Sequence, residues 1–407
     1  MGSMLSSASW SAQAQRGAEA DEQASHGAYL DAARLQQLRR RMQSYVDTGQ
    51  VAGIVTLIAE HGRILSLDAF GQQDLETSIP MRTDTVFQVR SMTKSFTAAS
   101  VLTLVDKGKV GLQDPVAKYI PEFANVQVAD KSAGKATLRL PMRAVTIYDL
   151  LTHTAGLPPE PPREHTRQIL QSKNLAEAAA RVESVALTHD PGVAFSYSDL
   201  GYVVLGGVVE AASGKAFGEY VQEAILRPLE MNDSFLIFDR EKSARVASTY
   251  RRVDGKLQKS DSYDIGKLSW LVLPRPSWSL FSTACDLLAF YQMLLNGGDY
   301  RGNRVLSPGA VRLMTSPHVA IGDTPAFYAH AHYGHGLVVK SDFDSSAMFG
   351  SPGSYGHGGL LGTLAWVDPD RQLVRIFLTS LAPDRPEDAF FAARLVFMQM
   401  TTEATEE

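Results

Sequence analysis

The strand-forming pattern of this chain lies at its two ends and the helix-forming pattern lies between them, so a single sheet requires the two ends to come together. Near the N-terminus, Val51 to Ala59 is β-branched and apolar, His61-Gly62 makes a turn, and Arg63 to Phe70 returns as the second arm of a hairpin. Near the other end, Gly336 to Val339, Thr363 to Asp368 and Leu373 to Thr379 read as strands, with Pro369-Asp370 turning between the last two. Leu35, Leu38, Met42 and Val46 recur at helical spacing, with Arg39, Arg40 and Arg41 as a solvated face, and Ala389 to Met400 is again helical. In the middle, residues 91–107, 145–155, 199–212 and 215–227 carry helical periodicity. Loops rich in proline, glycine and charge join them, such as 156–166 and 252–264. The stretch 252–280 holds aromatics and prolines without a clear period.

The expected fold is therefore mixed α/β (α+β), a central antiparallel sheet flanked by helices plus a mainly helical part. The expected organisation assigns 29–90 and 300–400 to the sheet domain and 91–299 to the helical one, with flexible ends at 1–28 and 401–407. A length of 407 residues accommodates this.

Composition excludes several function classes. A net charge of −5 gives no basic surface for phosphate backbones, so nucleic acid is not an expected partner. No window of about 18 apolar residues is present, so no membrane span is expected. The chain has one cysteine, Cys285, so it can form no internal disulfide, and an inert buried thiol is expected there. No His-Glu-x-x-His and no Gly-x-Ser-x-Gly occurs, which argues against a zinc hydrolase and an α/β-hydrolase. No metal site or cofactor is expected. Gly2-Ser3 before Met4 reads as a cloning scar, and residues 4–28 lack a cationic start followed by an apolar core. With the lone cysteine this fits a cytoplasmic protein; an exported chain whose signal has been trimmed would read the same way.

Three segments carry chemistry. The first is Ser91-Met92-Thr93-Lys94 at the start of a helical run. Positions three apart share a helix face, so the hydroxyl and the amine can meet. Serine becomes a nucleophile when a base takes its proton, and a lysine with a lowered pKa can be that base. The helix N-terminus adds N–H groups suited to a developing oxyanion. A capped helix with an exposed lysine has the same spacing, and a second copy, Ser132 with Lys135, sits in a polar loop.

The second segment is Tyr197-Ser198-Asp199, just before a helix. Tyr197 can serve as a proton-transfer group beside a lysine, and Asp199 can cap the helix or reach Lys94. Tyr-x-Asp also begins at Tyr29 and Tyr45, in a segment read as structural. The third is Tyr355-Gly356-His357-Gly358-Gly359-Leu360, ahead of a strand. Glycines there admit a ligand to the backbone, and the Leu360 N–H can join that of Ser91 as an oxyanion donor.

Taken together, Ser-x-x-Lys, Tyr-x-Asp and His-Gly-Gly resemble the serine β-lactamase and penicillin-binding-protein family, whose motifs are Ser-x-x-Lys, Tyr-x-Asn and Lys-Thr-Gly. Phe87 to Phe96, Leu150 to Leu157, Phe195 to Gly201, Pro228 to Met231 and Gly359 to Asp368 match as well, over roughly residues 32–400. The chain resembles the class C β-lactamase-like branch, and family VIII carboxylesterases in particular. The resemblance implies Ser91 as nucleophile, Lys94 as its base or proton partner, and Tyr197 as second proton-transfer group. It implies an oxyanion hole from the N–H groups of Ser91 and Leu360, with Asp199, His357, Gly358 and Gly359 in support.

Two positions depart from the pattern. Asp199 replaces Asn, which raises the negative charge near Lys94. His357-Gly358 replaces Lys-Thr, so a mostly neutral group stands where a lysine would hold a substrate carboxylate. The expected activity is therefore a carboxylesterase acting on small to medium uncharged esters through an acyl-enzyme on Ser91, with room for weak β-lactam hydrolysis. A class C-type β-lactamase or D,D-peptidase, an acyltransferase and a non-catalytic penicillin-binding sensor are the alternatives. His153 is expected to be structural. Oligomeric state is left open by the sequence.

Overall fold

The computed structural model describes residues 32–130, 137–159, 162–237, 239, 241–260, 273–322, 331–341, 350–383 and 389–402. The expected segment 1–28, the second Ser-x-x-Lys at 132–135 and the tail beyond 402 lie outside the described residues. Thr401 and Thr402, expected in the tail, instead end the last helix as buried residues.

Among the described residues, nine strands form one antiparallel sheet. They are β1 (Gly53–Glu60), β2 (Arg63–Asp74), β3 (Ile79–Pro80), β4 (Val319–Ala320), β5 (His332–Tyr333), β6 (Val338–Val339), β7 (Tyr355–Gly358), β8 (Leu364–Asp368) and β9 (Leu373–Leu378). Their order across the sheet is β4-β5-β6-β7-β8-β9-β1-β2-β3. The two ends of the chain meet where β1 pairs with β9, in the register Val55 opposite Leu378 and Leu57 opposite Ile376. Helix α1 (Ala32–Asp47) and the last helix pack on one face of this sheet.

Alternation explains why the central strands are almost wholly apolar. In β1, Val55, Leu57 and Ala59 point into the large core shared with the helical part, while Ile54 and Ile58 point to the side of Leu38 and Met42. Both faces are covered, so the few polar residues of these strands, such as Thr56 and Glu60 in β1, are buried as well. Each such aliphatic side chain contributes about 1.5–3 kcal/mol when fully buried.

The helical part is built around α2 (Thr93–Asp106), which is buried from Thr93 through Leu104. A helix that is apolar or self-satisfied all round belongs in a core. Its hydroxyls find partners there: Ser100 donates to Phe96 O at 2.8 Å, Thr97 to Pro276 O at 2.6 Å and Ser95 to Gly336 O at 2.8 Å. Around it lie α3 (Ile147–Leu151), α4 (Arg163–Leu170), α5 (Leu175–Val182), α6 (Asp199–Ser213), α7 (Phe217–Val221), α8 (Ala284–Leu295) and α9 (Pro308–Thr315); the last helix, α10, spans Ala389–Thr402.

Several local expectations are corrected. The 145–155 stretch is helical only over α3, because a capping box of Thr146 and Asp149 starts it and His153, at φ 58°, turns the chain away. Residues 215–227 form α7 and then a wider turn at Gln222–Leu226. The expected loop 156–166 runs into α4, and the expected loop 252–264 contains a hairpin of Tyr250–Val253 with Lys256–Lys259. Helices α5, α8 and α9 were not legible as elements. Cys285 is only partly buried, in the first turn of α8, where full burial was expected; desolvation pushes its thiol up to about 12, which disfavours the thiolate.

Candidate active site

Ser91 stands in a single tight turn, Arg90–Met92, that feeds α2. A short ribbon holds this turn: Phe87 pairs with Ser282 and Gln88 with Phe281, and Val89 N–H donates to Leu280 O at 3.0 Å. Thr93 closes it from below, donating to Arg90 O at 2.6 Å and accepting from Leu280 N–H at 3.0 Å. Arg90 adopts φ 53°, an uncommon value for a side chain of that size, held by these bonds.

Lys94 is fully buried one turn on. Its Nζ donates to Ser91 Oγ at 3.3 Å, Asp199 Oδ1 at 2.6 Å and the Ser277 carbonyl at 3.2 Å. Three acceptors match the three N–H groups of an ammonium. Burial disfavours that charge, but the Asp199 carboxylate and the Tyr197 phenol outweigh it and raise the Lys94 pKa. The expected depressed lysine is thus corrected: in the unliganded protein Lys94 is held as a cation.

The Ser277 carbonyl comes from a stretch that the sequence left without an assignment. It reaches Lys94 because α6 carries a glycine where its neighbour must approach: a Cβ on Gly206 would sit 2.4 Å from Pro276 Cγ. Beside it, Trp278 lies under the Arg90 guanidinium at 4.7 Å. No periodicity or motif marks either residue.

Tyr197 and Asp199 arrive at the start of α6, as the spacing indicated. The Lys94 ammonium lies 4.6 Å from the Tyr197 ring centroid, and the Asp199 side chain is 51% exposed, so it faces solvent as well as the lysine. Tyr45, which begins another Tyr-x-Asp, is buried in α1, and Tyr29 lies outside the described residues.

His357 lies on β7 and is buried. Its Nδ1 donates to Gly358 O at 2.7 Å, and its Nε2 lies 3.2 Å from the Tyr333 hydroxyl, which then must donate. Burial, with the Lys94 charge behind it, pushes the imidazole down to about 3. The expectation of a weak anion anchor is corrected here: His357 is an uncharged, enclosed ring with both nitrogens engaged.

Gly358 ends β7, and the turn that follows is locked against the Ser91 segment. Gly359 N–H donates to Thr363 O at 2.8 Å, and the Thr363 hydroxyl donates to Val89 O at 3.1 Å. A Cβ on Gly359 would lie 2.3 Å from Val89 O, so only glycine fits. Leu360 follows with its side chain 46% exposed. The fold therefore brings Ser91, Lys94, Tyr197, Asp199 and the His357–Leu360 turn to one place.

Comparison with known proteins agrees with this geometry. The family model described as Beta-lactamase matches residues 38–397. An uncharacterized protein of Mycobacterium tuberculosis (strain CDC 1551 / Oshkosh) is 31% identical over 360 residues, covering 84% of this chain and 89% of that protein. A protein of Escherichia coli K12, named as a candidate D-alanyl-D-alanine carboxypeptidase, is 28% identical over 380 residues, covering 85% of this chain and 82% of its own length. Among solved structures, EstCE1, a hydrolase with promiscuous acyltransferase activity, superposes with a TM-score of 0.76 at 22% identity, over 92% of this chain and 99% of that one. The motifs, the fold and the extent of the family match make this chain a member of the beta-lactamase family of serine hydrolases.

Proposed function

We propose that the protein is a serine carboxylesterase of the family VIII type, cleaving uncharged esters through an acyl-enzyme on Ser91. In this reading Ser91 Oγ attacks the ester carbonyl carbon, and the N–H groups of Ser91 and Leu360 receive the developing oxyanion. Lys94 must first give up to solvent the proton it carries at rest. It then takes the Ser91 proton, and Tyr197 supplies a proton to the departing alcohol. Water attacks the acyl-enzyme with the same groups working in reverse.

The observation that favours esters over β-lactams and peptide termini is His357. Those anionic substrates call for a cation at this position, and here the ring is enclosed, uncharged and occupied by Tyr333 and Gly358. The exposed Asp199 carboxylate works in the same direction, since it repels an incoming anion. The peptidase reading rests on the name of the E. coli relative.

Turnover of a p-nitrophenyl butyrate, of nitrocefin and of a D-alanyl-D-alanine peptide tests the assignment. The ester is expected to lead in kcat/KM by about 10²-fold or more, equivalent to roughly 2.7 kcal/mol of transition-state stabilisation. A peptide or lactam turned over faster than the ester would overturn it.

A further inference from the structure

His153 touches the segment that carries Tyr197 more fully than any motif suggests. It follows α3 in a turn anchored at Asp149, which accepts from both guanidinium nitrogens of Arg143 at 2.6 and 2.8 Å and from the Thr154 hydroxyl at 3.2 Å. The turn grips the next strand of chain, with Gly192 N–H donating to Thr154 O at 2.8 Å. His153 then binds both neighbours of Tyr197. Its carbonyl accepts from Ser196 N–H at 2.8 Å, and its ring Nδ1 accepts from Ser198 N–H at 3.1 Å. The ring is buried and lies against the Tyr197 ring, 4.4 Å between centroids at 34°.

We propose that His153 is a positioning residue for Tyr197, clasping the backbone on either side of it and backing its ring, so that the phenol stays at Lys94. The inference rests on the acyl-enzyme reading above. The clasp requires a bare Nδ1, because a proton there would face the Ser198 N–H donor-to-donor. Burial, then the nearby positive Lys94, hold the imidazole well below its ordinary value and so favour the neutral ring; the Ser198 N–H selects the tautomer whose proton sits on Nε2. Tyr333 closes the far side, with its ring 4.8 Å from His153 and 6.4 Å from Tyr197. The left-handed φ of 58° at His153 is the strained turn that lets one residue face both bonds.

The test separates positioning from general stability by leaving group. An alkyl ester needs a proton delivered to its alcohol; a p-nitrophenyl ester does not. His153→Phe keeps a ring and loses the acceptor. It is expected to lower kcat on an alkyl butyrate by about 10-fold or more, toward the 10²-fold scale of a lost proton donor. The pre-steady-state burst of p-nitrophenol from p-nitrophenyl butyrate, which reports acylation alone, should keep its rate within about threefold. His153→Asn retains an acceptor and should recover most of the alkyl-ester rate. Equal losses on both esters, or no rescue by His153→Asn, would overturn the proposal.

Should His153→Phe fail to fold, the ¹⁵N shifts of His153 in the wild-type protein decide. A bare Nδ1 from pH 5 to 9 is expected, and a protonated Nδ1 would overturn it. Fluorophosphonate labelling that persists in Ser91→Ala would sink the acyl-enzyme reading itself, whatever the His153 variants do.

Discussion

Lys94 Nζ lies 2.6 Å from Asp199 Oδ1, with the amine fully enclosed and the carboxylate half open to solvent. The pair is asymmetric in what each partner does for the other. Lys94 pays the desolvation, and Asp199 supplies the charge that keeps it protonated.

Asp199→Asn should therefore move the acidic limb of the kcat/KM profile to lower pH. With the carboxylate, burial and the phenol balanced, the Lys94 pKa is raised; without the carboxylate, burial pulls it down. A shift of about one to three pH units is expected. Because the wild-type limb lies above the ordinary lysine value, rates on a p-nitrophenyl ester should still be climbing at pH 10 in the wild type and should level off at lower pH in Asp199→Asn; the same profile in both would mean that another group titrates.

Ser91→Ala should lower kcat by more than about 10³-fold, the scale of a lost covalent route. Active-site labelling with a fluorophosphonate, read by intact-protein mass, should vanish with it.

Tyr197→Phe leaves the ring packed against His153 and removes the hydroxyl. On an alkyl ester kcat should fall by about 10²-fold or more, with KM little changed. Near-full rate on such a poor leaving group would remove Tyr197 from the chemistry.

Gly359→Ala tests the lock between β7 and the Ser91 turn. Its Cβ would meet Thr363 Oγ1 at 2.2 Å and Val89 O at 2.3 Å, so the turn must shift. A loss of about 1–3 kcal/mol in unfolding free energy is expected, as for other overpacked sites, together with a fall in kcat as the Leu360 amide moves. Gly218→Ala, whose nearest contact would be an ordinary 3.7 Å to Pro274 Cγ, should be neutral or stabilising by about 0.5–1 kcal/mol. Urea unfolding of both variants distinguishes them.

Much of the site could be read from local spacing. Ser91 and Lys94 are three apart on one helical face, and that proximity follows from 3.6 residues per turn. The glycine turn after His357 was legible as a place where a ligand can reach the backbone, but not as the lock of Gly359 against Val89 O. The hairpin of β1 and β2 was legible too, because β-branched runs flank a His-Gly turn. What stayed hidden lacked a local signature. Helix α5 is only two turns long and half of its buried stripe, Leu175, Ala178, Ala179 and Val182, is alanine, while α8 is apolar nearly all round and shows no single stripe. The Ser277 carbonyl is a backbone group in an aperiodic stretch, and any residue can offer one.

The sequence by itself determined which side chains were available and which of them were close along the chain: the serine and its lysine, the tyrosine two residues before Asp199, and the strands that alternate between two cores. Tertiary structure decided their states. Asp199 stands 105 residues from Lys94, and only packing brings them together and keeps the amine charged. His357 became an uncharged buried ring, and His153 became the clasp on Tyr197, for the same reason. Periodicity is written within a few residues, whereas burial and charge depend on whatever the rest of the chain places alongside.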